Sequence, residues 1–163
     1  MKWIDSKRDE QGATQYLFHL SRRDQELLLG VLKLFPVTDA ASHQLSKGSS
    51  TKIRAGQPLL VEAMEEQQRS QAHKVARLVK NPASALREKN GALELTLDGE
   101  QMEWLLQALN DIRVGSWVRL GCPEMEQARR AVRDEQAAIH YTAMELSGYF
   151  QAAILQAFSK SPP

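Results

Sequence analysis

The strongest constraint on this chain is a repeat inside it. The segment "FHLSRRDQELLLGVLKLF", 18–35, aligns without gaps on "LTLDGEQMEWLLQALNDI", 95–112, at an offset of 77 positions. Leu20 falls on Leu97, Ser21 on Asp98 and Glu26 on Glu103. Leu28 and Leu29 fall on Leu105 and Leu106, and Leu32 falls on Leu109. Each copy opens with a short apolar stretch of strand type. A Ser or Asp follows, then apolar residues at helical spacing. The side-chain oxygen of that Ser or Asp accepts from the free amides of a first helical turn. Two copies of strand, cap and helix predict two similar units packed about a pseudo-twofold axis, with their strands in one sheet.

The rest of the chain builds on these units. "MKWI" and "QYLFHL" flank a polar, Gly-containing stretch, as the strands of a β-hairpin do. That hairpin and a strand over 92–97 should share a small antiparallel sheet near the N-terminus. Helices are expected over 21–35, 58–80, 98–119 and 124–158. Residues 36–58, rich in Ser, Thr, Gly and Pro, read as a long mobile loop. The centre of the second helix, "EEQQRSQ", is polar on every side and should be exposed. "ASALREKNG" reads as a short helical turn closed by Gly91. Gly121 and Pro123 stop the third helix. The last helix, unbroken, would be about 54 Å long, with Gly148 as its bend. Its stripe is Ala128, Val132, Ile139, Leu146, Phe150, Ile154 and Phe158. The expected fold is mainly α (α+β): a helical bundle with a small N-terminal antiparallel sheet, in one domain over 1–163. A chain of 163 residues buries about two-thirds of its unfolded surface, so it needs no staples.

Charge and motif content narrow the function. A net charge of +1 gives no global attraction to nucleic acid or to anionic lipid. The single cysteine, Cys122, cannot form an intrachain disulfide, and a reducing compartment is the simplest setting. It is expected to pack as a small hydrophobe. "MKWIDSKRDEQG" lacks the apolar core of a signal peptide, and no apolar run is long enough to span a bilayer. The expectation is a cytoplasmic chain without a membrane segment. His19, His43, His73 and His140 are scattered, with no H-x-x-x-H pair, so no metal and no cofactor is expected. "SKGSST" lacks the Gly-rich frame of a phosphate loop. Arg129, Arg130 and Arg133 stand among Glu124, Glu126, Asp134 and Glu135 and read as a solvated, self-paired face. No catalytic motif stands out.

One polar set interrupts the most core-like helix: Asn110, Asp111, Arg113 and Arg119 in "LQALNDIRVGSWVRLG". Leu105, Leu109, Ile112, Ser116 and Leu120 form its core seam, with Leu106, Asn110, Arg113 and Trp117 as the stripe beside it. Two readings stay open. In the first, the set fixes packing: Arg113 is buried and held by Asn110, backbone carbonyls or an acid, because an unpaired buried charge is costly. Asp111, about 100° around the helix, then serves a loop amide or Arg119. In the second, the set lines a pocket for a carboxylate or phosphate, or anchors a partner peptide. The first is the expectation.

The segment 95–121 also resembles the most recognisable part of a bacterial family, best represented in actinobacteria and catalogued as domain of unknown function number two thousand and seventeen. The residues that carry the likeness are Leu97–Asp98, the run Ala108-Leu109-Asn110-Asp111-Ile112-Arg113, and Arg119-Leu120-Gly121. "LSRRDQELLLGVL" is similar to that family's first helix and "YFQAAILQAF" to its last, while roughly 40–90 does not align. The resemblance implies no enzymatic activity. It implies a stress-responsive regulatory role through protein contacts, which some members are proposed to switch with a pair of nearby cysteines. This chain departs there, since Cys122 has no second cysteine to join. The expected function is a protein-interaction or regulatory module without catalytic activity. A protein partner is expected, and also a homodimer through the exposed side of the last helix at Tyr141, Tyr149 and Ala152. The alternatives are a nucleic-acid-binding transcriptional regulator, which the balanced charge disfavours, and an enzyme with a carboxylate or phosphate site.

Overall fold

The computed structural model describes residues 1–8, 12–37, 51–89 and 91–160. Strand β1 (Lys2–Arg8) and strand β2 (Thr14–Leu20) form the expected hairpin. Helix α1 (Arg22–Leu32) follows at once, and helix α2 spans Thr51–Lys80. Strands β3 (Leu86–Lys89) and β4 (Ala92–Asp98) lead into helix α3 (Gly99–Arg119), and helix α4 (Glu135–Lys160) closes the fold. The four strands are antiparallel, in the order β1-β2-β4-β3. The fold is mainly helical with a small sheet, as the pattern predicts.

The register of the central strand pair explains the repeat. Phe18 of β2 lies opposite Leu95 of β4. These are the residues that the 77-position offset makes equivalent. In an antiparallel pair a residue faces its own equivalent only where a local twofold axis passes between the strands. The repeat also reaches further than the leucine pattern does. Each central strand has its own hairpin partner, and the chain reads as two ββαα halves. Both helices that leave the central pair carry the same capping box. The Ser21 hydroxyl accepts from the Asp24 amide, and the Asp24 carboxylate accepts from the Ser21 amide at 3.0 Å. Asp98 and Gln101 repeat this exchange at 2.7 and 2.9 Å. Each box satisfies two otherwise orphan donors.

The core lies between the inner face of the sheet and the helices. Tyr16, Phe18 and Leu20 of β2 and Leu95 and Leu97 of β4 point into it. They meet Leu28 and Leu32 of α1, Leu105, Leu109 and Ile112 of α3, and Phe150 and Ile154 of α4. The outer face is polar, with the row Lys2, His19, Glu94 and Arg87 running across the strands. The Lys160 ammonium lies 5.9 Å from the centre of the Trp3 ring, tying the end of α4 to β1.

Four expectations are corrected. First, the loop expected over 36–58 ends early, because 51–58 already belong to α2; residues 38–50 lie outside the described residues. A proline removes one hydrogen bond from a helix, which a long cooperative helix can carry, so Pro58 did not mark the boundary. Second, "ASALREKNG" is not a helical turn beyond its start. A 3-10 turn at Pro82–Ser84 leads into β3, which pairs with β4 from Leu86↔Leu95 to Lys89↔Ala92. The connection is two residues long and Gly91 has φ 77°, so the Asn-Gly dipeptide in the sequence was a hairpin signal. Third, the C-terminal helix is not continuous from 124. Met125–Ala131 is a 3-10 segment, Val132 is extended, and Asp134 caps α4 by accepting from the Ala137 amide at 2.8 Å. A cap residue needs non-helical backbone, so the break belongs at the Asp134–Glu135 step. At 26 residues α4 is about 39 Å long. Fourth, α4 runs through Gly148 unbroken, and Ile139 of the expected buried stripe is 39% exposed.

Candidate functional site

The C-terminal end of α3 explains its own geometry. Gly121 donates to the Val118 carbonyl at 2.9 Å and Cys122 to the Trp117 carbonyl at 3.0 Å. This is a Schellman motif, which needs a left-handed residue after the C-cap; Gly121 supplies it with φ 84°. Cys122 continues in the left-handed region at φ 55°. Trp117 locks the turn, its Nε1 donating to the Pro123 carbonyl at 2.9 Å. Cys122 is therefore exposed rather than packed, because the motif carries it past the end of the helix.

The polar set divides between different tasks. Asp111 is half-buried and accepts from the Val37 amide at 2.8 Å, which ties the segment after α1 to α3. Arg113 is not buried, contrary to the expectation. It is exposed, its Nη1 donates to Gln151 Oε1 at a long 3.4 Å, and the guanidinium lies across α4 over Gly148. A Cβ on Gly148 would stand 3.6 Å from the Arg113 Cζ, an ordinary van der Waals contact, so the arginine packs flat here without requiring a glycine. The reason for the correction is the orientation of α3. Its buried face includes Ala108, Gly115 and Ser116, small residues that a hydrophobic pattern weighs lightly. The helix is turned toward them, and the stripe of Leu106, Asn110, Arg113 and Trp117 faces outward. Asn110 and Arg119 are both exposed. Arg119 stands apart from the others, beside His140.

Two neighbouring grooves occupy this outward side of α3. The larger, about 510 Å³, is lined by Gln67 and Gln71 of α2, by Leu106, Gln107, Asn110, Asp111 and Val114 of α3, and by Gln151 and Leu155 of α4. Its lining is rich in side-chain amides interspersed with apolar residues. Gln71 donates to Gln107 across the α2–α3 contact. The side-chain amides of Asn110 and Gln67 make no hydrogen bond among the described residues. The smaller groove, about 320 Å³, shares Asn110 and Val114 and adds Arg113, Trp117, Met144 and the Cys122–Glu124 turn. Val114, Trp117 and Leu155 are large apolar residues left exposed here. Asn110 thus borders both grooves, with Asp111 lining the larger and Arg113 the smaller.

Sequence reasoning missed the glutamines of this face. Gln67 and Gln71 sat in a stretch read only as solvated, and no local signal pairs Gln71 with Gln107. It also missed a buried polar contact between α3 and α4. Ser116 is fully buried, with its Oγ 3.3 Å from His140 Nδ1. Burial, and then the Arg119 charge, hold His140 below its ordinary pKa. The hydroxyl of Ser147, also buried on α4, has no hydrogen-bond partner among the described residues. A mid-helix serine sealed in a core gives substrate no access, so the pair reads as packing. Arg129, Arg130 and Arg133 are solvated as expected, but they make no ion pair among the described residues. Of the other histidines, His19 lies 3.6 Å from Glu94 and His73 is exposed; His43 lies outside the described residues. Among the described residues no helix is long and apolar enough to cross a membrane. Comparison with known proteins found no matching family model, no matching curated protein and no matching solved structure.

Proposed function

We propose that this chain is a cytoplasmic protein-interaction module of regulatory type, without catalytic activity, whose recognition face is the amide-rich side of α3. The observation that carries this reading is a groove lining that mixes the amides of Gln67, Gln71, Gln107, Asn110 and Gln151 with the apolar side chains of Leu106, Val114 and Leu155. A side-chain amide both donates and accepts, as a peptide bond does. Apolar side chains interspersed with such groups suit an extended, uncharged polypeptide segment. Arg113, exposed beside it, suits a carboxylate at one end of that segment. The resemblance of 95–121 to a family with no established activity agrees with a binding role. Self-association would use the exposed Tyr149–Ala152 side of α4.

Selection from a displayed random-peptide library, followed by hydrogen-exchange footprinting, tests the reading. Enriched peptides should protect α3 and the facing parts of α2 and α4. Leu155→Glu, at a residue 55% exposed, should weaken them about tenfold or more, as loss of an apolar anchor does, with the melting temperature unchanged. A failure to enrich binders, or footprints elsewhere, would overturn it.

A further inference from the structure

Away from the α2–α3 contact, a third groove has a different chemistry. It lies between α1 and α4, with a volume of about 400 Å³. Leu27 and Val31 of α1 and Leu34 just after it line one wall, and Ala138, Ile139 and Leu146 of α4 the other. Among the described residues its only charged lining residues are Glu26 and Glu135. Both are exposed and neither makes an ion pair among the described residues. Arg23 and Lys33 of α1 are exposed as well but do not line it. Asp24 meets Tyr149, Oδ1 to Oη, at 3.4 Å, so the start of α1 lies against the middle of α4. The lining then runs from Glu26 to Leu34 on one wall and from Leu146 to Glu135 on the other. The two carboxylates stand at opposite ends, about 12–16 Å apart at 1.5 Å per helical residue.

Gly30 keeps this groove open. It is exposed in the middle of α1, and a Cβ there would meet nothing within 4 Å. Such a glycine costs a helix about 1 kcal/mol relative to alanine, and no contact among the described residues requires it. Its equivalent in the other half, 77 positions on, is Gln107, whose side chain reaches Gln71 of α2 and bridges the corresponding helix pair. Gly30 has no side chain with which to do the same.

We infer that this groove docks an amphipathic helix of a protein partner, with apolar anchors on one face and a basic residue at each end. The length of the groove fits two to three helical turns, with the cations about 8–11 residues apart. A helix laid in an apolar groove reads it through side chains at i, i+3 or i+4, and i+7. The bare backbone at Gly30 admits the closest part of the incoming helix. The paired glutamates set which helices are accepted.

The test uses the full chain and two labelled helical peptides of about 16 residues (about 24 Å). Both present a leucine stripe; one carries lysines at its ends and the other glutamates. Fluorescence anisotropy should show the lysine peptide binding at least about tenfold tighter, the scale on which charge complementarity discriminates partners. Glu26→Lys combined with Glu135→Lys should reverse that preference. Gly30→Met should weaken the lysine peptide about tenfold or more by filling the groove, and Leu155→Glu, on the other face, should leave it unchanged. Equal affinity for both peptides, no binding by either, or no reversal by the double charge change would overturn the inference. A dimer of the chain alone that Gly30→Met dissociates would also overturn it, assigning the groove to a second copy. If Gly30→Met fails to fold, the charge reversal decides.

Discussion

Replacing Asp111 and Arg113 separately by alanine measures which of the two belongs to the architecture. Asp111 accepts from the Val37 amide at 2.8 Å in a half-buried setting. A hydrogen bond to a charged group contributes about 1.5–3 kcal/mol. Water reaches part of this one, so Asp111→Ala should cost about 1–2 kcal/mol. For a chain of this size each kcal/mol moves the melting temperature by about 2–4 °C, which gives a drop of about 2–8 °C. Arg113 is exposed and its one side-chain hydrogen bond among the described residues is a long 3.4 Å. Exposed polar pairs contribute about 0–1 kcal/mol, so Arg113→Ala should lower the melt by less than about 4 °C. Scanning calorimetry at pH 7, with urea titrations to confirm an unchanged m-value, reads both. If Arg113→Ala costs as much as Asp111→Ala or more, the guanidinium is part of the packing and the outward orientation of α3 is wrong.

Other outcomes follow from the same geometry. His140 has a depressed pKa in the folded chain, so below its ordinary value of 6.5 the unfolded chain binds the proton more readily. Stability should therefore be full above that value and fall as the pH drops through it; urea midpoints at pH 7.5 and 5.5 should differ, less so for His140→Gln, and a slope unchanged by that variant refutes the link. Gly121→Ala meets no atom within 4 Å but retains φ 84°, so it should lose about 1–2 kcal/mol from backbone strain alone, while Gly12→Ala, at the described edge of a turn, serves as a comparison for the same substitution at φ 83°. Phe18→Ala and Leu95→Ala, at cross-strand partners that are fully buried, should each cost about 2–5 kcal/mol, and a double-mutant cycle should show coupling above about 0.5 kcal/mol; additive losses would place the two residues apart.

The repeat was legible because its signals are local. Leucine spacing, a Ser or Asp at the strand–helix junction, and the breakers Gly121 and Pro123 each act within a few residues of where they stand. The strand–cap–helix units and all but one of the sheet strands came from such rules. The misses inside the fold had local signals too: Asn90–Gly91 marks a hairpin and Asp134 marks a helix start. In each case a competing pattern, a helical turn or a long apolar stripe, runs over the same residues and masks the signal.

The amino-acid sequence by itself determined the two related units, their caps and the mainly helical class, because propensity, capping and periodicity are properties of neighbouring residues. The grooves were decided by tertiary structure alone. Asn110 and Arg113 face outward because α3 buries Ala108, Gly115 and Ser116, and how far a helix turns toward small residues depends on the surfaces packed against it. Gln71 meets Gln107 from 36 positions away, and Gly30 borders a groove whose other wall begins at Glu135. Such juxtapositions come from the packing of whole helices about the pseudo-twofold axis, and no pattern along the chain records a distance between them.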